Sequence, residues 1–143
     1  MSADSQPQPR AISRQARPWR LQSQGYVLLL GGLAAATAIA LINAARLGVP
    51  TQGRAAIAGA GLLGLLCDVV SATSLPVGPH LAVVLSLSLR LAVHVVQLGE
   101  QKPYDLESRM FFRGDHGSMW LPGATAIAIG GPLEYGALVM IVG

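Results

Sequence analysis

LSLSLRLAVHVVQ, residues 85–97, sets an arginine and a histidine inside an apolar run. From Leu85 to Leu91 apolar and polar residues alternate, as along a half-buried strand. Ser86, Arg90 and His94 recur at every fourth position, as on one face of a helix. The surrounding chain decides between the two. A lone strand in hydrocarbon leaves its backbone groups unpaired, and too few alternating segments exist here to close a barrel. The stretch reads as a helix with Ser86, Arg90, His94, Gln97 and Gln101 in one polar stripe and Leu, Val and Ala elsewhere.

The composition points the same way. Of 143 residues, 52% are hydrophobic and only 12% charged, against about 25% charged in a soluble domain. The apolar residues gather in four blocks, and about 20 apolar helical residues suffice to cross a hydrocarbon core. A soluble four-helix core would need a charged face on each helix, which three of the blocks lack. The expected fold class is therefore an all-α integral membrane protein. It has four apolar helices, at about 25–45, 55–73, 80–99 and 119–142, in a single multi-pass domain over 21–143. Residues 1–20, rich in Ser, Gln, Pro and Arg, read as a disordered basic cytoplasmic tail in which Trp19 marks the membrane interface.

The first block carries Gly32, Ala36, Ala40 and Ala44 at intervals of four, and the second carries Ala56, Ala60 and Gly64. Small residues at that spacing let helices approach closely in lipid, so these two stripes are the expected packing faces. A cleaved signal peptide is the alternative for the first block, but the stretch is too long for a signal core and further spans follow. Residues 100–118 read as a polar connection lying against the interface. In the last block Gly130, Gly131 and Pro132 predict a kink just before Glu134.

Orientation is not decided by charge. Four full crossings put four cations of the tail on one side and Arg46, Arg54, Lys102, Arg109 and Arg113 on the other. If the third block instead lies in the interface or re-enters, the balance becomes seven against two. That imbalance and Arg90 are two reasons to doubt that the third block crosses fully, so an interfacial or re-entrant third helix stays open beside four full crossings.

Asp68, Arg90, His94 and Glu134 are the candidate site, because ionisable side chains within apolar segments are costly and face protein or water. Asp68 follows Gly64 along its stripe and is the expected partner of Arg90. Two roles are open for the four: a polar pathway, or an ion-pair cluster that fixes helix packing. His80 and His94 lie about 21 Å apart along a helix, a spacing that suits two haems only if a partner helix supplies the other ligands. No cofactor is expected. Cys67 is the only cysteine, so no intrachain disulfide or cysteine-based metal motif exists. Neither a phosphate-binding loop nor a catalytic triad spacing is visible. The basic tail lacks interleaved aromatic residues, which argues against nucleic acid. The expected partners are the lipid bilayer and other membrane subunits or a second copy. The expected role is a non-enzymatic accessory or structural subunit, with a small transporter or channel subunit as the alternative.

The chain also resembles a group of small multi-pass bacterial membrane proteins. The residues that carry the likeness are Gly31-Gly32-Leu33-Ala34, with Leu33 where that group has proline, then Asn43 and Arg46-Leu47-Gly48. It continues through Pro76, Gln97, Tyr104, Gly114 and Ser118 to Trp120. The resemblance implies a multi-pass architecture and carries no activity with it.

Overall fold

The computed structural model describes residues 17–74, 79–111 and 116–142. It is built of helices: a single 3-10 turn (Leu21–Ser23), then α1 (Gln24–Arg46), α2 (Thr51–Ser74), α3 (Pro79–Phe111) and α4 (Trp120–Val142). Three segments, Leu21–Arg46, Thr51–Ser74 and Val83–Met110, are long and apolar enough to cross a membrane. The helical reading of 85–97 holds.

The first of these segments does not run straight. Gly32 has φ +80° and ψ −179°, a backbone state essentially reserved for glycine, so the helix breaks there. The side chains show how far the chain turns. Gln24 Nε2 and Asn43 Nδ2 both donate to the same atom, Gln101 Oε1, at 3.1 and 2.9 Å. In a straight helix those residues, 19 positions apart, are separated by roughly 28 Å. Trp19 N–H donates to Asn43 Oδ1 at 2.6 Å, and Trp19 packs in one cluster with Val27, Ala35 and Ile39. So α1 is a helical hairpin, with arms at 24–31 and 33–46 and its tip at Gly32. The block expected to cross as a single span folds back on itself.

At the end of the second arm Gly48, φ +75°, terminates the helix in a Schellman turn. Val49 N–H bonds Ala44 C=O and Gly48 N–H bonds Ala45 C=O, and Val49 packs on Ala40, Ala44 and Ile57. Pro50 then lets α2 start in a new direction.

α2 and α3 run antiparallel, since Gly53 lies by Glu100, Gly64 by Val93 and Asp68 by Arg90. The buried residues of α2 are Gly53, Ile57, Gly61, Gly64 and Asp68. Of the expected packing face Ala56, Ala60 and Gly64, Ala56 is exposed and Ala60 half-buried. The true stripe is rotated from it by about one residue. Gly61 and Gly64 sit where a Cβ would strike Thr37 and Leu33 of the second arm. In α1, Ala36, Ala40 and Ala44 are buried as expected, while Gly32 belongs to the turn rather than to their stripe.

α3 is one continuous helix of 33 residues, with no reversal within the third block. It also runs through Pro103 to Phe111, into the part of 100–118 expected as a polar connection. The cause is burial: Gln97 and Gln101 extend the polar stripe against the arms of α1 and Asp105 against His116, each at most 3% exposed, while Pro103 faces outward. α4 packs along the first arm. A Cβ at Gly130 would lie 2.7 Å from Gly31 C=O, so Gly130 and Gly131 allow α4 close to the end of that arm.

Residues 17–20, the last of the expected tail, are held by the bundle. Gly117 N–H bonds Pro18 C=O at 2.9 Å, and Trp19, 3% exposed, is buried in protein with the Arg46 guanidinium 3.9 Å from its ring centroid. Trp120, 77% exposed, presents the free indole instead. The remainder of the tail, together with Phe112, Arg113, Gly114 and Asp115, lies outside the described residues. The outer surface of the bundle is aliphatic, with Leu29, Leu62, Leu63, Leu66, Val83 and Val95 all more than half exposed. Its interior combines three apolar clusters with the buried polar side chains Gln24, Asn43, Asp68, Gln97, Gln101 and Asp105.

Candidate functional site

Three charged side chains from three helices meet at the tip of the hairpin. Arg90 of α3 places Nη2 2.7 Å from Glu134 Oε1 of α4 and Nε 3.4 Å from Asp68 Oδ2 of α2. All three are largely buried, with side-chain exposures of 18% for Arg90, 7% for Asp68 and 11% for Glu134. Asp68, the partner expected from sequence, is present but is the more distant of the two. Glu134 is the closer, on a helix whose register against α3 cannot be read from the chain.

Glu134 has a second task. Its Oε2 accepts the backbone N–H of Ala34 at 3.1 Å. Ala34 lies in the first turn of the second arm, where N–H groups lack intrahelical partners and the helix dipole favours a negative group. Gly32 makes room for it, since a Cβ there would overlap the carboxylate. The sequence therefore supplies the break and its cap from opposite ends of the chain. One guanidinium faces two carboxyl groups, and neither Asp68 Oδ2 nor Glu134 Oε1 has a hydrogen bond beyond its contact with Arg90.

Arg90 is further oriented by its own helix, donating from Nε to Ser86 Oγ at 3.2 Å. His94, one turn further along α3 from Arg90, does not join the ion pairs. It faces the start of the first arm near Gly25, and its Nδ1 is buried without a hydrogen-bond partner. The next turns of α3 hold the hairpin by amides. Gln97 Nε2 donates to Thr37 Oγ1 at 3.0 Å, and Gln101 clasps Gln24 and Asn43, closing the two arms against each other. Asp105 completes the stripe, pairing Arg109 Nη2 at 2.9 Å and His116 Nε2 at 3.1 Å, which ties the end of α3 to the segment entering α4.

No family model, no curated protein and no solved structure matches this chain. Of the four residues singled out from sequence, Asp68, Arg90 and Glu134 converge and His94 stands one turn away. Gln24, Asn43, Gln97 and Gln101 hold the hairpin in place, and among these only Gln97 and Gln101 were marked by the polar stripe. Gln24 and Asn43 did carry a signal, as the polar residues bounding an apolar block, but their pairing required the reversal at Gly32. Among the described residues no group of three His, Cys, Asp or Glu side chains is placed to hold a metal ion.

Proposed function

We propose that this is a non-enzymatic integral membrane protein in which α2, α3 and α4 cross the bilayer and α1 re-enters as a hairpin. Its charged tip serves as the working centre of a small transporter or channel subunit. One observation carries the reading: Asp68, Arg90 and Glu134, far apart in sequence, meet at a broken helix inside a bundle with an aliphatic surface. Discontinuous helices and buried ionisable groups mark substrate and ion sites in membrane transporters. The polar stripe of α3, from Asp105 to Arg90, links that centre to one end of the bundle.

The hairpin also supports an orientation. With α1 folded back, Arg17, Arg20, Arg46, Arg54, Lys102 and Arg109 gather at the same end. The sequence has no Lys or Arg between Arg54 and Lys102 except Arg90, and none after Arg113. The positive-inside rule then favours a cytoplasmic basic end. The test is reconstitution in liposomes with a pH-sensitive dye and monovalent-ion indicators. The reading expects flux from the purified protein that is lost in Glu134→Gln. A folded wild-type protein that moves no ion would contradict it.

A second reading has its own support in the Glu134 bond to Ala34 N–H, which uses the cluster as a clamp. In that case the protein is an accessory or structural subunit of a larger membrane assembly. Stoichiometric partners on purification from native membranes would favour it.

A further inference from the structure

At the basic end, the start of the hairpin and the segment entering α4 enclose an open pocket of about 430 Å³, lined by Arg20, Ser23, Tyr26, His116, Ser118 and Trp120 among others. We propose that this pocket binds the phosphate headgroup of an anionic phospholipid. The proposal rests on the membrane reading above, not on the transport role of the charged tip.

Three groups on its wall are suited to a phosphate diester. Arg20 is exposed and enters no ion pair among the described residues, so its guanidinium can turn to a phosphate. Ser23 precedes α1, yet its hydroxyl makes no cap hydrogen bond. Ser118 Oγ accepts from Trp120 N–H at 3.4 Å, which leaves its own proton to donate. Asp105, which contacts the lining residue His116, is also paired with Arg109. Arg17 and Arg46 stand close by, their contact running from Arg46 Nη1 to Arg17 C=O at 3.2 Å.

The surroundings select a lipid over a free anion. Trp120 and Leu121 beside the pocket are 77% and 74% exposed, and Leu29 and Leu30 of the first arm are each 64% exposed. An apolar surface therefore continues from the pocket along α4 and the first arm, where acyl chains would lie. Tryptophan at such a boundary occupies the headgroup level of a bilayer, and anionic headgroups are drawn to juxtamembrane cations.

The full chain purified in neutral detergent is titrated with phosphatidylglycerol, phosphatidylcholine or inorganic phosphate, while thermal stability and lipid adducts in native mass spectra are followed. Phosphatidylglycerol should stabilise the protein and persist as an adduct, and the other two should do neither. Arg20→Gln with Ser23→Ala should weaken the phosphatidylglycerol effect about tenfold, or about 1.4 kcal/mol, whereas Arg54→Gln at the same end should leave it unchanged. Equal weakening by Arg54→Gln would show diffuse attraction and overturn the pocket. An equal response to inorganic phosphate would overturn the lipid, and an unchanged response in the double variant would overturn the site. Ion flux is not read in this experiment, so its result stands apart from that of the transport assay.

Discussion

α1 and α3 both contain a helix breaker, and they respond in opposite ways. α1 reverses at Gly32, whereas α3 passes through Pro103 without ending. Intrinsic preference alone ranks proline as the stronger breaker, at roughly 3 kcal/mol against about 1 kcal/mol for glycine. What differs is the tertiary support. At Gly32 the reversed backbone gains a carboxylate cap on Ala34 and an amide clasp from Gln101. At Pro103 the flanking Gln101 and Asp105 are bonded only if the helix continues. A breaker in an apolar segment acts as an invitation, and distant polar side chains decide whether it is accepted.

Gly32→Ala attacks the hairpin most directly and should be the most damaging change. A side chain is strained by about 1–3 kcal/mol in that backbone state. Its Cβ would also displace Glu134 from Ala34 and disturb Arg90, and breaking a buried pair costs roughly 3–5 kcal/mol. Loss of the folded protein in detergent, followed by circular dichroism on heating, is the expected outcome.

Arg90→Leu comes next, leaving two buried carboxyl groups without their cation, again at about 3–5 kcal/mol. Pairing it with Glu134→Leu should recover more stability than pairing it with Asp68→Leu, because Glu134 is the closer partner. Thermal unfolding of the two double variants checks the order. Equal recovery would remove the special place of Glu134 at the tip.

Gln101→Leu opens the clasp between the arms and should cost about 1–3 kcal/mol, the usual penalty for stranding buried polar partners. Hydrogen exchange should rise in both arms of α1 and little in α2. Pro103→Ala is the opposite case. It restores a backbone donor in a helix that already continues, so stability should stay level or rise by about 1 kcal/mol. A clear loss there would mean that the proline shapes α3.

Much of this was legible in the chain. The all-helical class followed from the apolar blocks, and the burial of Asp68, Arg90 and Glu134 followed from the cost of charge in apolar surroundings. The small residues Ala36, Ala40 and Ala44 were identified as a packing face, and they are one. What periodicity missed was the turn. Gly32 falls in step with those alanines, so a count by fours includes it in their stripe, and nothing local distinguishes a hinge from a contact. The deciding partners, Glu134 and Gln101, lie 102 and 69 positions downstream. The undecided charge balance is what the proposed hairpin would resolve, because folding α1 back brings the cations before and after it to one end. Arg90 directed suspicion to the third block, and the structure places the reversal in the first.

The reversal at Gly32 is measured most directly as a distance. Spin labels at Gln22→Cys and Ala45→Cys, both exposed positions, in a Cys67→Ala background report on the two feet of the hairpin. Packed helices lie roughly 8–10 Å apart, so with the label arms added the account predicts a distribution centred near 20 Å or below. A straight α1 separates these positions by about 34 Å, and a distribution centred there would contradict it.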